Sequence, residues 1–329
     1  MLLRLFTAFG RHASSVMAAG VFLGLALPEL ASLVRPVLAP AAATLLLVAM
    51  LRIDWSEVLA LLRRPLLVAG VTAAIVAAAP LLLFPAAALA FPALGLPAGL
   101  LLGVGLMLCG PPLGAATNMA YLMRLDASFA LLITLAGTLA APFMVPPLAL
   151  WLLGLDLAIG VADFMLRLGG LVAGAIALSL AIRHVVGLER IRRNGAALDA
   201  VVAIAMIAFA VAIMDGVGAT LRADPLLVGL YLAVACAANL GLQALAVAVA
   251  LLLPRRLLTP LQGLTAGLLN GNRNLGLMLA AMPAEAQGKV LLFFAIAQIP
   301  MYFTPLVGAP IYRRLAARVR AADAAPGAR

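Results

Sequence analysis

Four strongly polar residues lie close together in an apolar stretch of the sequence, at positions 262–282. They are Asn270, Asn272, Arg273 and Asn274. An arginine at the centre of a membrane helix costs roughly 3 kcal/mol on insertion scales, so one that is retained faces protein or water and marks a functional site. Its guanidinium can bind an anion or backbone carbonyls. Because glycine and asparagine disfavour a continuous helix, the pattern predicts a binding site at a break in a helix.

The sequence lacks the residue patterns of catalysis. It contains no Walker-type phosphate loop, no histidine or cysteine cluster with metal-ligand spacing, and no carboxylate pair within an apolar stretch. Cys109 and Cys236 lie singly in apolar runs, which predicts buried packing residues and neither a disulfide nor a metal site. We therefore expect a protein that is not an enzyme and that binds no metal at these positions.

Composition predicts a polytopic membrane protein. Of the 329 residues, 66% are hydrophobic and 10% are charged, with a mean hydropathy of +1.19, whereas soluble domains carry about 25% charged residues. The net charge of +10 comes from short basic clusters between apolar runs. Such clusters are typical of cytoplasmic loops and do not indicate nucleic-acid binding. Residues 1–13 predict a basic amphipathic segment with no cleavable signal peptide.

Apolar windows predict ten transmembrane helices, because each window is long enough to cross a bilayer. The predicted spans are 14–33, 36–51, 65–91, 96–121, 127–153, 159–182, 197–219, 225–253, 259–283 and 289–312. With both termini in the cytoplasm, all but five of the 22 lysines and arginines lie on the cytoplasmic side. The exceptions are Arg35, Arg167, Arg222, Arg273 and Lys289. The positive-inside rule therefore favours this orientation, with a cytoplasmic tail over residues 315–329.

The two halves of the chain resemble each other in register. The sequence Pro-Leu-Leu-Val opens the third span at residues 65–68 and the eighth at residues 225–228, and the proline-rich stretch 142–148 resembles 300–306. The first repeat, 14–155, and the second, 156–314, each hold five spans. Because five is odd, the second repeat must enter the membrane from the opposite side. The sequence thus predicts two inverted five-helix repeats, an architecture of secondary transporters.

The repeat predicts a second broken helix. The fourth span contains Pro111 and Pro112, which remove two backbone donors and prevent a regular helix. Asn118 lies 156 residues before Asn274, close to the offset of the repeat. Two interrupted spans in matching positions indicate a transporter's binding site. Unwound carbonyls there can bind a cation, while half-helix N-termini favour an anion.

The chain resembles bacterial members of the bile acid:sodium symporter superfamily over about residues 14–314. The most specific part is the stretch 110–118, Gly-Pro-Pro-Leu-Gly-Ala-Ala-Thr-Asn, where the family has Cys-Pro-Gly-Gly-x-x-Ser-Asn; residues 271–276 resemble its second crossing motif. The resemblance implies an all-α fold whose fourth and ninth helices are discontinuous and cross. It also implies a core of helices 3–5 and 8–10, a panel of helices 1, 2, 6 and 7, and a substrate cavity between the two. The implied location is the bacterial inner membrane.

The resemblance further implies a sodium site, from which this sequence departs. The ligand positions that match are Thr117, Asn118 and Thr134. The family's glutamate position falls on Leu269, another helix-5 hydroxyl position falls on Ala130, and a glutamine is replaced by Arg273. A guanidinium offers no oxygen ligand and repels a neighbouring cation. The departures argue against sodium, the one cofactor that the family implies, and favour Arg273 as a permanent charge that holds the unwound carbonyls in its place.

Several roles stay open at the level of sequence. Arg273 either bonds carbonyls at the break or also binds substrate, and the two roles are compatible. One of Asn270 and Asn272 is expected to cap a half-helix. Three further polar residues within the spans either line a cavity or join helices by hydrogen bonds. These are Asn239, Gln243 and Gln298.

The sequence as a whole predicts a secondary active transporter of a small organic anion, working by alternating access with no obligate protein partner. One alternative is a metalloid or cation effluxer on the same scaffold, with Cys109 as the thiol ligand. The other is a membrane sensor that does not transport.

Overall fold

The structure is a computed structural model that describes residues 13–53, 64–153 and 159–324. These residues form α-helices joined by short connections, with no β-strand among them. Most of the predicted N-terminal segment and the end of the predicted tail lie outside the described residues. The predicted all-α fold is confirmed for these residues.

The first half of the described chain contains eight helices. They are α1 (Ala13–Ala26), α2 (Pro28–Val34), α3 (Leu38–Arg52), α4 (Pro65–Ala73), α5 (Ala79–Ala93), α6 (Ala98–Cys109), α7 (Ala116–Leu122) and α8 (Ala127–Leu153). A 3₁₀ turn, Arg35–Val37, joins α2 to α3, and a π-helical turn, Ala74–Ala78, joins α4 to α5 without a gap.

The second half contains nine helices. They are α9 (Val161–Val186), α10 (Leu188–Arg193), α11 (Gly195–Ala212), α12 (Val217–Ala223), α13 (Pro225–Leu252), α14 (Pro260–Gly271), α15 (Leu275–Ala281), α16 (Ala284–Phe303) and α17 (Ala309–Ala324). A second π-helical turn, Thr304–Gly308, joins α16 to α17.

Seven helical stretches of the described residues are long and apolar enough to cross a membrane. They are Pro28–Arg52, Pro65–Ala93, Ala127–Leu153, Val161–Val186, Gly195–Ala223, Pro225–Leu252 and Ala284–Phe303. The other three predicted spans consist of shorter helices. The first is represented by α1, the fourth by α6 and α7, and the ninth by α14 and α15. A membrane protein is therefore supported, and the count of ten spans stays a prediction.

The helices form two contact groups. Helices α1, α3 and α9 belong to one group, since α11 packs on α1 and α3, and α9 also packs on α3. In the other group α13 packs closely along α14 and α16, and α16 packs on α6. Helix α8 contacts α6 and α14 of one group and α9 of the other, and α15 contacts α3, so both connect the groups.

Two of the element boundaries that differ from the sequence prediction have a local explanation. The first helix ends at Ala26 because Pro28 begins the next one, at a helix start where a missing N–H is tolerated. The tenth span was predicted to end at residue 312, yet α17 continues to Ala324. Its last turns are rich in alanine and arginine, which are strong helix formers although they interrupt an apolar window.

Candidate functional site

Two short non-helical segments meet inside the protein. One is residues 110–115, between α6 and α7, and the other is residues 272–274, between α14 and α15. Pro112 and Arg273 form an antiparallel bridge. Its flanking hydrogen bonds run from the Leu113 N–H to the Asn272 carbonyl, 2.8 Å, and from the Asn274 N–H to the Pro111 carbonyl, 2.7 Å. Backbone groups that the helix ends leave free are thus paired with each other, as a buried site requires.

Close packing at the junction, where the two non-helical segments meet, depends on two glycines. A Cβ atom on Gly137 of α8 would lie 2.7 Å from Cδ of Pro112. A Cβ atom on Gly271 would lie 2.4 Å from the backbone oxygen of Asn239. Any larger residue at either position collides with a neighbour, so glycine allows α8 and α13 to approach the two segments.

Arg273 is the largest fully buried side chain among the described residues, with 0% exposure. Its Nε donates to the Asn270 carbonyl at 2.7 Å, and Nη2 donates to Oδ1 of the same residue at 2.6 Å. Its Nη1 donates to the Gly110 carbonyl at 2.8 Å and to the Ile75 carbonyl at 2.9 Å. Four of the five guanidinium N–H groups are therefore bound, and the side chain joins α14, the 110–115 segment and the α4–α5 stretch.

The Ile75 carbonyl is free to accept because of a proline. In the π-helical turn the N–H of Ala79 bonds to the carbonyl of Ala74, five residues earlier. The next residue, Pro80, has no N–H to offer. The carbonyl of Ile75 thus has no donor in its own helix and accepts from Arg273, 198 residues away in the chain.

The asparagines around Arg273 stabilise the facing ends of α14 and α15. Asn274 is the N-cap of α15, and its Oδ1 accepts from the Leu277 N–H at 3.1 Å. Asn272 donates from Nδ2 to the Leu268 carbonyl at 2.8 Å, in the last turn of α14. Asn270 donates to the Leu242 carbonyl of α13 at 2.9 Å while it accepts from Arg273. All three side chains therefore have structural bonds, and Asn274 is only half-buried.

The three other predicted polar residues are buried, and two of them, Asn239 and Gln243, join helices. Asn239 donates from Nδ2 to the Gly271 carbonyl at 2.7 Å, and its Oδ1 accepts from Nε2 of Gln243 at 2.7 Å. Tyr312 of α17 donates to Oε1 of Gln243 at 2.9 Å. Gln298 donates to the Phe294 carbonyl of its own helix at 3.2 Å. Sequence reasoning missed Tyr312 because an aromatic residue near the predicted end of a span carries no distinctive signal.

The three predicted sodium-ligand positions have different environments. The hydroxyls of Thr117 and Thr134 are buried and have no hydrogen-bond partner within the described part of the chain. Asn118 is exposed. Leu269, at the family's carboxylate position, has 0% exposure. Orphan hydroxyls can receive a ligand, but a sodium site also needs oxygen ligands that compensate its charge, and this donor set does not fit one.

An open cleft of about 690 Å³ lies between the α4–α5 stretch and α13. Ala266 and Asn270 of α14 lie at its base. Apart from Asn270, the described residues of its lining are apolar except for two arginines, Arg64 and Arg256. Asn239, Gln243 and Gln298 do not line it. Cys109 is fully buried and likewise does not line it. The third, eighth and ninth predicted spans, which belong to the predicted core, form this cleft. The resemblance instead places substrate between core and panel.

Comparison with known proteins adds no family assignment. No protein-family model matches the chain, and no curated protein matches it. The resemblance to the bile acid:sodium symporter superfamily therefore stays a prediction from the motifs.

Proposed function

We propose that the protein is a secondary active transporter that carries a small organic anion by alternating access. The observation that carries this proposal is the buried guanidinium of Arg273, which bonds to the last turn of α14 and to the 110–115 segment. None of the ion pairs among the described residues involves it. Burying a charge without a counter-ion is costly. An anion bound close to the junction offsets part of that cost, which a cation or a neutral solute does not.

The architecture proposed with it is ten spans in two inverted repeats whose fourth and ninth helices cross. Three observations support it. Helices α4 and α13 begin at the matched prolines Pro65 and Pro225. The interruptions 110–115 and 272–274 lie at nearly the same offset. The contact groups also correspond to the implied panel and core, since α1, α3, α9 and α11 contain the first, second, sixth and seventh predicted spans.

In this mechanism Arg273 holds the junction together and does not meet substrate directly. Four of its N–H groups are occupied by protein oxygens, and its side chain is inaccessible. The polar side chains that a ligand can reach near the junction include exposed Asn118, on α7, and half-buried Asn274, at the start of α15. Core and panel then move relative to each other and expose these groups to either side of the bacterial inner membrane, with both termini in the cytoplasm.

Sodium has no part in the proposed mechanism. The permanent charge of Arg273 is bonded to the unwound Gly110 carbonyl, where a bound cation would otherwise bind. A charge that cannot dissociate makes the junction independent of the sodium gradient. The coupling is then uniport, exchange, or symport with another ion.

The test is counterflow in proteoliposomes, with a panel of organic acids preselected by thermal shift. We expect saturable uptake of an acid, equal with and without a sodium gradient, and no uptake of its neutral amide. Asn118→Leu should abolish uptake while the protein still inserts and purifies. Arg167→Gln is the matched control, because Arg167 only forms an exposed ion pair with Asp163. Equal transport of the amide would contradict the anion assignment, and strict sodium dependence would contradict the role of Arg273.

A further inference from the structure

The cleft between the α4–α5 stretch and α13 opens sideways along its length. Its wall on the α4–α5 stretch is a single helix face, with lining residues at three- and four-residue spacing from Leu67 to Leu83. Large side chains at its rim are exposed, including Leu66 at 87% and Leu82 at 75%. A Cβ atom on Gly70 would have no heavy atom within 4 Å. The cleft is thus an open apolar groove that faces the surroundings of the helices.

The two charged residues among the described lining of the cleft lie at one end of it. Arg64 directly precedes α4, and Arg256 follows the end of α13. Both are exposed, and neither has a hydrogen bond or an ion pair with another described residue. None of the described residues that line the cleft is acidic. The charge distribution of the chain predicts that this end is at the cytoplasmic surface, where arginines meet anionic lipid headgroups.

The distance between the charged end and the base matches one acyl chain. Eleven residues separate Arg64 from Ile75, so the groove runs about 16 Å at 1.5 Å per residue to that depth. One leaflet contributes about half of a hydrocarbon core roughly 30 Å thick. The volume of about 690 Å³ also falls within the usual range of small-molecule sites, about 300–1,000 Å³.

We propose that the cleft binds an anionic phospholipid of the cytoplasmic leaflet, with its phosphate on Arg64 and Arg256 and an acyl chain along the groove to Ile75 and Asn270. The open side favours entry from the bilayer over entry from water. Ile75 and Asn270, where the acyl chain would end, are the residues whose oxygens accept hydrogen bonds from Arg273. The lipid therefore packs against the outer side of the Arg273 contacts and stabilises the junction from the membrane side.

The test uses native mass spectrometry and thermal unfolding of the full-length protein with phosphatidylglycerol or phosphatidylcholine of the same acyl chains. We expect tighter binding of phosphatidylglycerol and a larger rise in Tm with it. Arg64→Gln with Arg256→Gln should weaken phosphatidylglycerol binding about tenfold or more, because two basic contacts at the membrane surface are lost. The control is Arg314→Gln with Arg318→Gln, which removes the same charge from exposed positions on α17, and it should bind like the native chain.

A second variant fills the groove. Gly70→Leu should lower binding of both lipids, whereas Gly229→Leu, at an exposed glycine of α13 that does not line the cleft, should not. Equal phosphatidylglycerol binding by the two arginine double variants would overturn the proposal. Displacement of the lipid by a short water-soluble carboxylate would also overturn it, in favour of a substrate site. Since the readout is lipid binding, the result does not depend on whether transport is found.

Discussion

The carbonyl oxygen of Gly110 accepts a 2.8 Å hydrogen bond from Nη1 of Arg273, 163 residues further along the chain. The same Nη1 also donates to the Ile75 carbonyl. One planar group thus holds three backbone segments at fixed positions, with a bond geometry that lysine cannot reproduce. The junction of the two non-helical segments is stabilised by a side chain as well as by its backbone pairing.

Arg273→Lys is expected to impair the protein although the charge is kept. An ammonium cannot reach Asn270, Gly110 and Ile75 together, so at least one buried carbonyl loses its donor, at about 1–3 kcal/mol each. Transport should fall more than about tenfold and Tm should drop. Thermal unfolding in detergent and counterflow on the same preparation measure both. An Arg273→Lys variant with native Tm and native uptake would contradict the role assigned to the guanidinium.

Gly271→Ala is expected to destabilise the junction by about 1–3 kcal/mol, the usual cost of overpacking. The added methyl would lie 2.4 Å from the Asn239 backbone oxygen and from Cγ of Gln243, and a helix backbone cannot move aside cheaply. Gly241→Ala is the control, since that exposed glycine of α13 has open space around it. A Gly271→Ala protein as stable as the control would show that α13 and α14 pack less tightly than described.

The buried hydrogen bonds of Asn239, Gln243 and Tyr312 should contribute unequally to the stability of the protein. Asn239→Leu leaves the Gly271 carbonyl and the amide of Gln243 unpaired, which should cost about 1–3 kcal/mol for each buried group. Tyr312→Phe removes one donor from Gln243 and should cost about 1 kcal/mol. Chemical unfolding in mixed micelles gives the order of the two. A Tyr312→Phe variant less stable than Asn239→Leu would contradict the network.

Two arginines of α9 should differ sharply in their contribution to stability. Arg183 donates to the carbonyls of Met50, Leu51 and Ile53 at the C-terminal end of α3. Arg183→Gln should therefore cost about 1–3 kcal/mol by leaving those oxygens unpaired. Arg167→Gln removes an exposed pair with Asp163 and should cost less than about 1 kcal/mol. Equal Tm values for the two variants would show that α3 needs no such cap.

Local sequence signals explain the two non-helical segments better than they explain the contacts between them. The ends of α6 and α14 follow from the paired prolines and from glycine and asparagine, which are local signals. The Ile75 carbonyl could not be predicted, because an acceptor with no side-chain signature lies 198 residues from its donor. Pro80 was visible in the sequence, but which carbonyl it frees depends on the π-helical turn. Exposure of Asn118 likewise depends on how α7 packs, which no local pattern encodes.

In the π-helical turn at Ala74–Ala78, the number of residues matters more than the identity of their side chains. Its alanines, isoleucine and valine look replaceable, and most conservative exchanges of their side chains should be harmless. Deleting a single one of these residues is different, because it would rotate everything beyond it by about 100° around the helix axis. The Ile75 carbonyl oxygen would then no longer point toward Arg273. A substitution scan would pass over this feature, and only insertions and deletions would reveal it.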